Sequence, residues 1–232
     1  MLPIGERLKT VASLVSPCCT VADIGTDHGY VPAFLAMTGK CAHVIASDIA
    51  EGPCAAARET LSKYGLQEVM EVRKASGLQG LAAGEAQTVV IAGMGGATIL
   101  CILAELPDIT QTVGTFVLQP MSAVGTLRRW LSDHYFIINE EALCKENGRI
   151  YIILKVAHAR QKQELSEIEL ELGPCVLNER PALWNEYVAE KAKRVRQMLK
   201  QMSASETATH SEKYRNMQKL LEQMERLLFE PE

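Results

Sequence analysis

The chain has 232 residues, 47% of them hydrophobic and 22% charged, which suits one full domain core plus a smaller appendage and excludes both two full enzymes and wholesale disorder. A formal net charge of −4 excludes a strongly basic protein that coats nucleic acid. The start, Met1 to Arg7, has no basic segment followed by an apolar run, and no stretch approaches the about 18–20 apolar residues of a membrane span, so a cytoplasmic protein without membrane contact is expected.

Up to about Ala157 the sequence alternates strand-like and helix-like segments. The spacing predicts helices over Gly5–Leu14, Tyr30–Thr38, Gly52–Tyr64, Ala97–Leu106 and Ala123–His134. Strands are predicted over Thr20–Ile24, Ala42–Asp48, Val69–Arg73, Thr88–Ala92 and Thr115–Gln119, then Phe136–Leu143 and Arg149–Val156. Most of the first five lack polar alternation, as strands buried on both faces of a parallel sheet do. The pattern argues for a doubly wound α/β domain. Asn147-Gly148 is a hairpin signal, so the sheet should end in an antiparallel pair.

From His158 to residue 232 a second, helical domain is expected. Gly173-Pro174 and Arg180-Pro181 read as a linker. Trp184, Val188, Ala192, Val195, Leu199 and Met202 then recur at helical spacing, as do Tyr214, Met217, Leu221, Met224 and Leu228. These stripes predict two amphipathic helices in an antiparallel hairpin of coiled-coil character. Lys191, Lys193, Arg194, Arg196 and Lys200 fall within one ten-residue stretch that contains no acid. They read either as phosphate contacts or as a solvated helix face. Seven cysteines without a Cys-x-x-Cys pair or a Cys/His cluster argue against a disulfide framework and against a metal site.

The first chemical motif is Asp23-Ile24-Gly25-Thr26-Asp27-His28-Gly29, where a buried strand meets a turn and then a helix. Ligands in open α/β sheets bind beyond such strand ends. The spacing is Asp-x-Gly-x-x-x-Gly, not the Gly-x-Gly-x-x-Gly of dinucleotide binding. An acid at the strand end suits an ammonium better than a pyrophosphate, which favours S-adenosylmethionine (SAM) over NAD(P). An ordinary turn with a capping Asp is the competing reading. Asp48 ends the second strand, where an acid accepts hydrogen bonds from the ribose hydroxyls of a nucleoside cofactor or stands as a solvated strand-end carboxylate. Ser76-Gly77, after the third strand, is positioned to meet an adenine ring or to make a simple turn. Ala92-Gly93-Met94-Gly95-Gly96, after the fourth, suggests a pocket wall made of backbone; no Lys-Ser/Thr follows, so a phosphate loop is disfavoured. Gln119-Pro120-Met121 falls on the same rim.

These segments resemble the bacterial tRNA (adenine-22-N1)-methyltransferases, the TrmK family. The resemblance rests on Arg7-Leu8, Ala22-Asp23-Ile24-Gly25-Thr26-Asp27-His28 with Pro32, Gly52-Pro53, Gly77-Leu78, Ile91-Ala92-Gly93-Met94-Gly95-Gly96, Leu118-Gln119-Pro120 and Arg129-Trp130-Leu131. It implies a Rossmann-like class I methyltransferase sheet, mostly parallel, with a C-terminal helical hairpin. It also implies SAM as cofactor and tRNA as partner, with methyl transfer to N1 of an adenosine. Around the cofactor it implies Asp23, Gly25, Thr26, His28, Asp48, Gly77, Gly93 and Met94, joined from the motif reading by Ser76 and Ala92. Asp27 is the implied catalytic or base-positioning acid, its alternative being a helix cap. Arg7, Gln119, Lys191, Lys193, Arg194 and Arg196 are the expected tRNA contacts. Two positions depart from the family pattern: Ser76 replaces a usual acid, and Met121 replaces a usual Asn. A small-molecule methyltransferase and a non-enzymatic RNA- or protein-binding relative are the other readings. A monomer or weak homodimer is expected.

Overall fold

The computed structural model describes residues 2–229. Two compact units form, one ending at Glu164 and the other beginning at Leu165. The first contains α1 (Glu6–Leu14), β1 (Cys18–Ile24), α2 (Tyr30–Met37), β2 (Cys41–Asp48), α3 (Glu51–Tyr64), β3 (Met70–Lys74), β4 (Thr88–Met94), α4 (Gly96–Glu105), α5 (Pro107–Thr110), β5 (Thr115–Pro120), α6 (Val124–Asp133), β6 (Phe136–Glu146) and β7 (Arg149–His158). A 3-10 turn, Gly77–Gly80, lies between β3 and β4. The unit runs past the 157/158 division read from the sequence because Gln163 is tied back to it. The Gln163 side-chain oxygen accepts from Ile138 N at 2.8 Å, and its carbonyl accepts from Ser132 Oγ at 2.6 Å.

The sheet order is β3-β2-β1-β4-β5-β7-β6. β1 to β5 are parallel, and β7 is antiparallel to both β5 and β6. Val21–Ile24, Val44–Ser47, Thr88–Ile91 and Phe116–Pro120 are buried without alternation, because helices cover both faces. β6, at the edge, alternates instead: Phe136 and Ile138 are buried, Ile137 and Asn139 exposed. Asn147 (φ 50) and Gly148 (φ 74) are both left-handed, the geometry a two-residue hairpin turn demands. The order reverses between β1 and β4, so their carboxyl ends open a crevice at the switch point.

At the antiparallel edge of the sheet, α6 is pinned to β6 by an ion pair. Arg128 Nε and Nη2 each lie 2.9 Å from Glu141 Oε1, and both side chains are fully buried.

The second unit contains α7 (Glu167–Leu172), α8 (Pro174–Glu179), α9 (Trp184–Met202), α10 (Glu206–Thr209) and α11 (Glu212–Phe229). The segment read as a linker at Gly173-Pro174 instead joins two short helices. Ser166 and Glu169 form a capping box that starts α7, and Pro174 occupies the first turn of α8. α9 and α11 pack together as a hairpin, with Arg196 bonded to Glu225 at 2.6 Å. The expected stripe of α9 is buried at Trp184, Val188, Ala192, Val195 and Leu199. No described helix is long and apolar enough to cross a membrane.

Removing one partner of a buried ion pair leaves an uncompensated charge. Glu141→Ala should therefore lower unfolding free energy by about 3–5 kcal/mol in urea titration. A loss below about 1 kcal/mol would show that Arg128 finds another anion or water.

Candidate active site

β1 delivers Asp23 to the crevice and then turns sharply. Gly25 has φ 75, Asp27 φ 52 and Gly29 φ 69, three left-handed residues within five. The turn is pinned to β2, since Gly25 N and Thr26 N both donate to Ser47 O, at 2.8 and 3.0 Å. A Cβ on Gly25 would lie 2.0 Å from Met94 Cε, so a side chain there would be strained by the left-handed φ and would push the flexible Met94 methyl aside. Asp48 clamps the same turn. Its Oδ1 accepts from Ala50 N at 2.9 Å, and its Oδ2 from Asp27 N at 3.4 Å.

Between these loops lies a cavity of about 490 Å³. Asp23, Gly25, Thr26, Asp27, His28 and Asp48 form one wall; Ala92, Gly93 and Met94 form another. Pro3, Arg7 and Leu8 close it from the N-terminal segment, with Tyr30 and Val31 from α2. Burial pushes the Asp23 carboxyl up to about 7, the charge of Asp48 adds to the rise, and the nearby Thr26 hydroxyl offsets part of it. Thr26 Oγ1 is buried without a hydrogen bond of full geometry, as is Ser47 Oγ. The acid thus sits in a wall that would stabilise an incoming cation.

Asp27 does not cap α2. Gly29 occupies the cap position, and no side chain caps that helix. The Asp27 side chain is 72% exposed, with His28 Nε2 at 3.7 Å from its Oδ1. His28 stacks on Tyr30, ring centroids 5.3 Å apart. The acid is therefore open to a ligand, held in a left-handed backbone that a non-glycine residue adopts only at some cost.

Arg7 and Gln119 act as a pair. Arg7 Nη1 donates to Gln119 Oε1 at 2.5 Å, and that oxygen also accepts from Gly93 N at 3.1 Å. Glu146 Oε1 takes the Arg7 amide at 3.2 Å, and the guanidinium lies 5.5 Å from the Tyr151 ring. Gln119 is fully buried and does not line the cavity, so its amide supports the β4 loop from behind. Ser76 and Gly77 are also absent from the cavity wall. They lead into the 3-10 turn, where a Cβ on Gly77 would face Glu105 and Ile102 of α4 at 3.3 and 3.5 Å. Met121 is exposed, and its amide bonds to Met94 O at 2.7 Å.

The basic stretch of α9 is partly paired. Lys191 Nζ lies 2.8 Å from Glu171, Arg194 2.5 Å from Glu190 and Arg196 2.6 Å from Glu225. Lys193 and Lys200 are exposed. Pro3, Leu8, Tyr30 and Val31 were not anticipated as cavity residues. Tyr30, two places from His28 at the start of a helix, was the one with a readable signal. Among the described residues no group of three or more His, Cys, Asp or Glu is arranged to hold a metal ion.

A sheet of this order, with its last pair antiparallel and its cavity at the β1/β4 switch point, defines a Rossmann-like class I methyltransferase fold. Within that class, the family model described as tRNA (adenine(22)-N(1))-methyltransferase, TrmK, matches residues 21–226, and the chain belongs to this family. It is 28% identical over 98% of its length, and 98% of the relative's, to the tRNA (adenine(22)-N(1))-methyltransferase of Bacillus subtilis. It superposes with TM-score 0.86 and 31% identity on a Streptococcus pneumoniae protein described as a putative tRNA (m1A22) methyltransferase, covering 97% of this chain and 99% of that one. A structure of that protein in complex with S-adenosyl-L-methionine gives 0.85 and 30%, with the same coverage.

Two substitutions test this wall. Gly25→Ala places a side chain at a left-handed φ, costing about 1–2 kcal/mol, and displaces Met94; SAM affinity measured by calorimetry should fall about tenfold or more, equivalent to about 1.4 kcal/mol. Asp23 bears on pH. Between about pH 4 and pH 7 the folded protein retains a proton on Asp23 that the unfolded chain has released, so this group's contribution to stability falls as pH rises through that window. Asp23→Asn should therefore gain stability relative to the parent at pH 8 compared with pH 5 in urea titration. An equal difference at both pH values would contradict the burial of an ionisable acid there.

Proposed function

We infer that the chain is a SAM-dependent methyltransferase acting on N1 of adenosine 22 in tRNA. Family membership over residues 21–226 supports this reading most directly. The cavity itself fits the cofactor on three counts. A buried carboxyl at Asp23 awaits a cation, the buried Thr26 hydroxyl stands beside that carboxyl, and Gly25 holds a left-handed turn against Met94. Asp23 would hold the amino-acid end of SAM, Gly25, Thr26 and His28 the turn side, and Ala92, Gly93 and Met94 the opposite wall. Asp48, at the end of β2, would take the ribose hydroxyls. Ser76 and Gly77 would approach the adenine end of the cofactor from outside the cavity wall described above.

When bound, SAM supplies an electrophilic methyl group. Adenine N1 carries its lone pair at neutral pH, so the protein need not remove a proton before transfer. Its task is alignment and stabilisation of positive charge on the ring. Asp27, exposed at the mouth and adjacent to Asp48, is suited to accept a hydrogen bond from the adenine amino group. Arg7 lines the cavity and carries the only guanidinium among its lining residues, which suits a contact with tRNA phosphate. Gln119 would act indirectly by holding Arg7 and Gly93. An adenine must leave its stack to reach this depth, so further phosphate contacts are needed. Lys193 and Lys200, with the less available Lys191, Arg194 and Arg196, would supply them. A cytoplasmic protein acting as a monomer or weak homodimer is consistent with this substrate.

Incubation with methyl-labelled SAM and total tRNA, followed by nucleoside mapping, should locate 1-methyladenosine at position 22. Label in small metabolites and none in tRNA would overturn the reading. Asp27→Ala should retain SAM affinity and lose about 100-fold in methyl transfer; unchanged turnover would remove Asp27 from catalysis.

A further inference from the structure

Cys18 opens β1 and Cys41 opens β2, and these parallel neighbours begin their register with this pair. The two Sγ atoms lie 2.9 Å apart. The same register ends at Ile24 and Ser47, beside the cofactor turn, so the thiols occupy the opposite end of the strands from the cavity. Cys41 is buried and Cys18 half-buried, so Cys18 is the more exposed residue of the pair. We propose that Cys18 and Cys41 form a reversible thiol–disulfide site, closed by oxidants of the hydroperoxide class and reopened by thiol reductants.

Adjacent strands hold their backbones about 4.8 Å apart, inside the about 4.4–6.8 Å Cα spacing that disulfides span. Closing the bond therefore needs side-chain rotation and no backbone rearrangement. Burial, and then the neighbouring Cys18 sulfur, pushes the Cys41 thiol up to about 12, so Cys41 holds its proton. Lys40 adds a cation beside Cys41. Its ammonium is fixed on the carbonyls of Ala12 and Ser13, at 2.9 Å each, and its charge offsets a small part of that rise.

The chemistry balances with a hydroperoxide as the named oxidant. The Cys18 sulfur, as thiolate, attacks a peroxide oxygen; the O–O bond breaks, and water or an alcohol leaves with the proton from the thiol. Cys18 is then a sulfenic acid. The Cys41 sulfur attacks the Cys18 sulfur, the S–O bond breaks, and hydroxide leaves as water with the Cys41 proton. Two thiols are oxidised and one peroxide bond is reduced. The new bond closes a loop from 18 to 41 that contains the cofactor turn and α2. Cys19 is exposed and, one residue along the strand, faces the opposite side of the sheet from Cys18. It is therefore the natural control.

The test uses the full chain, reduced, freed of reductant, treated with hydrogen peroxide and then alkylated. Mass spectrometry should show loss of two hydrogens and a peptide cross-link between Cys18 and Cys41. The unfolding midpoint should rise by roughly 5 °C and return with dithiothreitol. Cys18→Ser and Cys41→Ser should each abolish the cross-link, whereas Cys19→Ser should retain it. Full alkylation of Cys18 and Cys41 after peroxide would overturn the proposal, and so would a cross-link that depends on Cys19.

Discussion

Asp23 reaches the carboxyl end of β1 with almost no exposure, and burial holds its carboxyl near neutrality instead of in the acidic range. An acid in that position is a cost to the unliganded fold at pH 8. The surrounding structure accounts for its survival. The parallel strands on either side, β2 and β4, shield it everywhere but toward the cavity, and the turn after it is pinned by Ser47 O. The chemistry of the cavity follows from that one desolvated charge. A cation is the ligand group that would restore the carboxylate, so the acid selects an ammonium-bearing molecule before any other contact is made.

The second constraint is steric. Gly25 follows β1 and Met94 ends β4, and they meet so closely that a Cβ on Gly25 would require the Met94 methyl to move. Gly93 is itself left-handed, and its amide is held by Gln119, whose oxygen is shared with Arg7. A buried amide, a guanidinium and a glycine loop thus form a continuous support from α1 through β5 to the cavity wall. Asp48 does the corresponding work on the other side, by bonding the backbone of Asp27 and Ala50. Asp27 is consequently presented outward by backbone geometry, with its carboxylate uncommitted to the helix that follows.

Much of this was legible in the sequence because it depends on local chemistry. Unbroken apolar runs marked the parallel strands, Asn147-Gly148 marked the antiparallel pair, and the Asp-x-Gly-x-x-x-Gly spacing marked the turn. The α7 capping box, Ser166-x-x-Glu169, is an equally local signal that starts a helix just ahead of Gly173-Pro174. What the sequence could not supply was direction. Gln119 sits at a strand end like a ligand contact, yet its side chain points inward, since β5 is buried on both faces there. Ser76 and Gly77 follow β3 as expected, but the 3-10 turn packs Gly77 toward α4. The basic stretch of α9 has no acid within it, and its partners, Glu171 and Glu225, come from distant positions in the chain, with Glu190 just outside the stretch.

The most direct measurement is a crystal structure with S-adenosylhomocysteine. The ligand amino group should lie within hydrogen-bond reach of Asp23, the ribose hydroxyls should face Asp48, and the sulfur should sit between Gly25 and the Gly93–Met94 loop. A ligand seated elsewhere, or one whose amino group leaves Asp23 without a polar partner, would contradict the central role given to the buried acid.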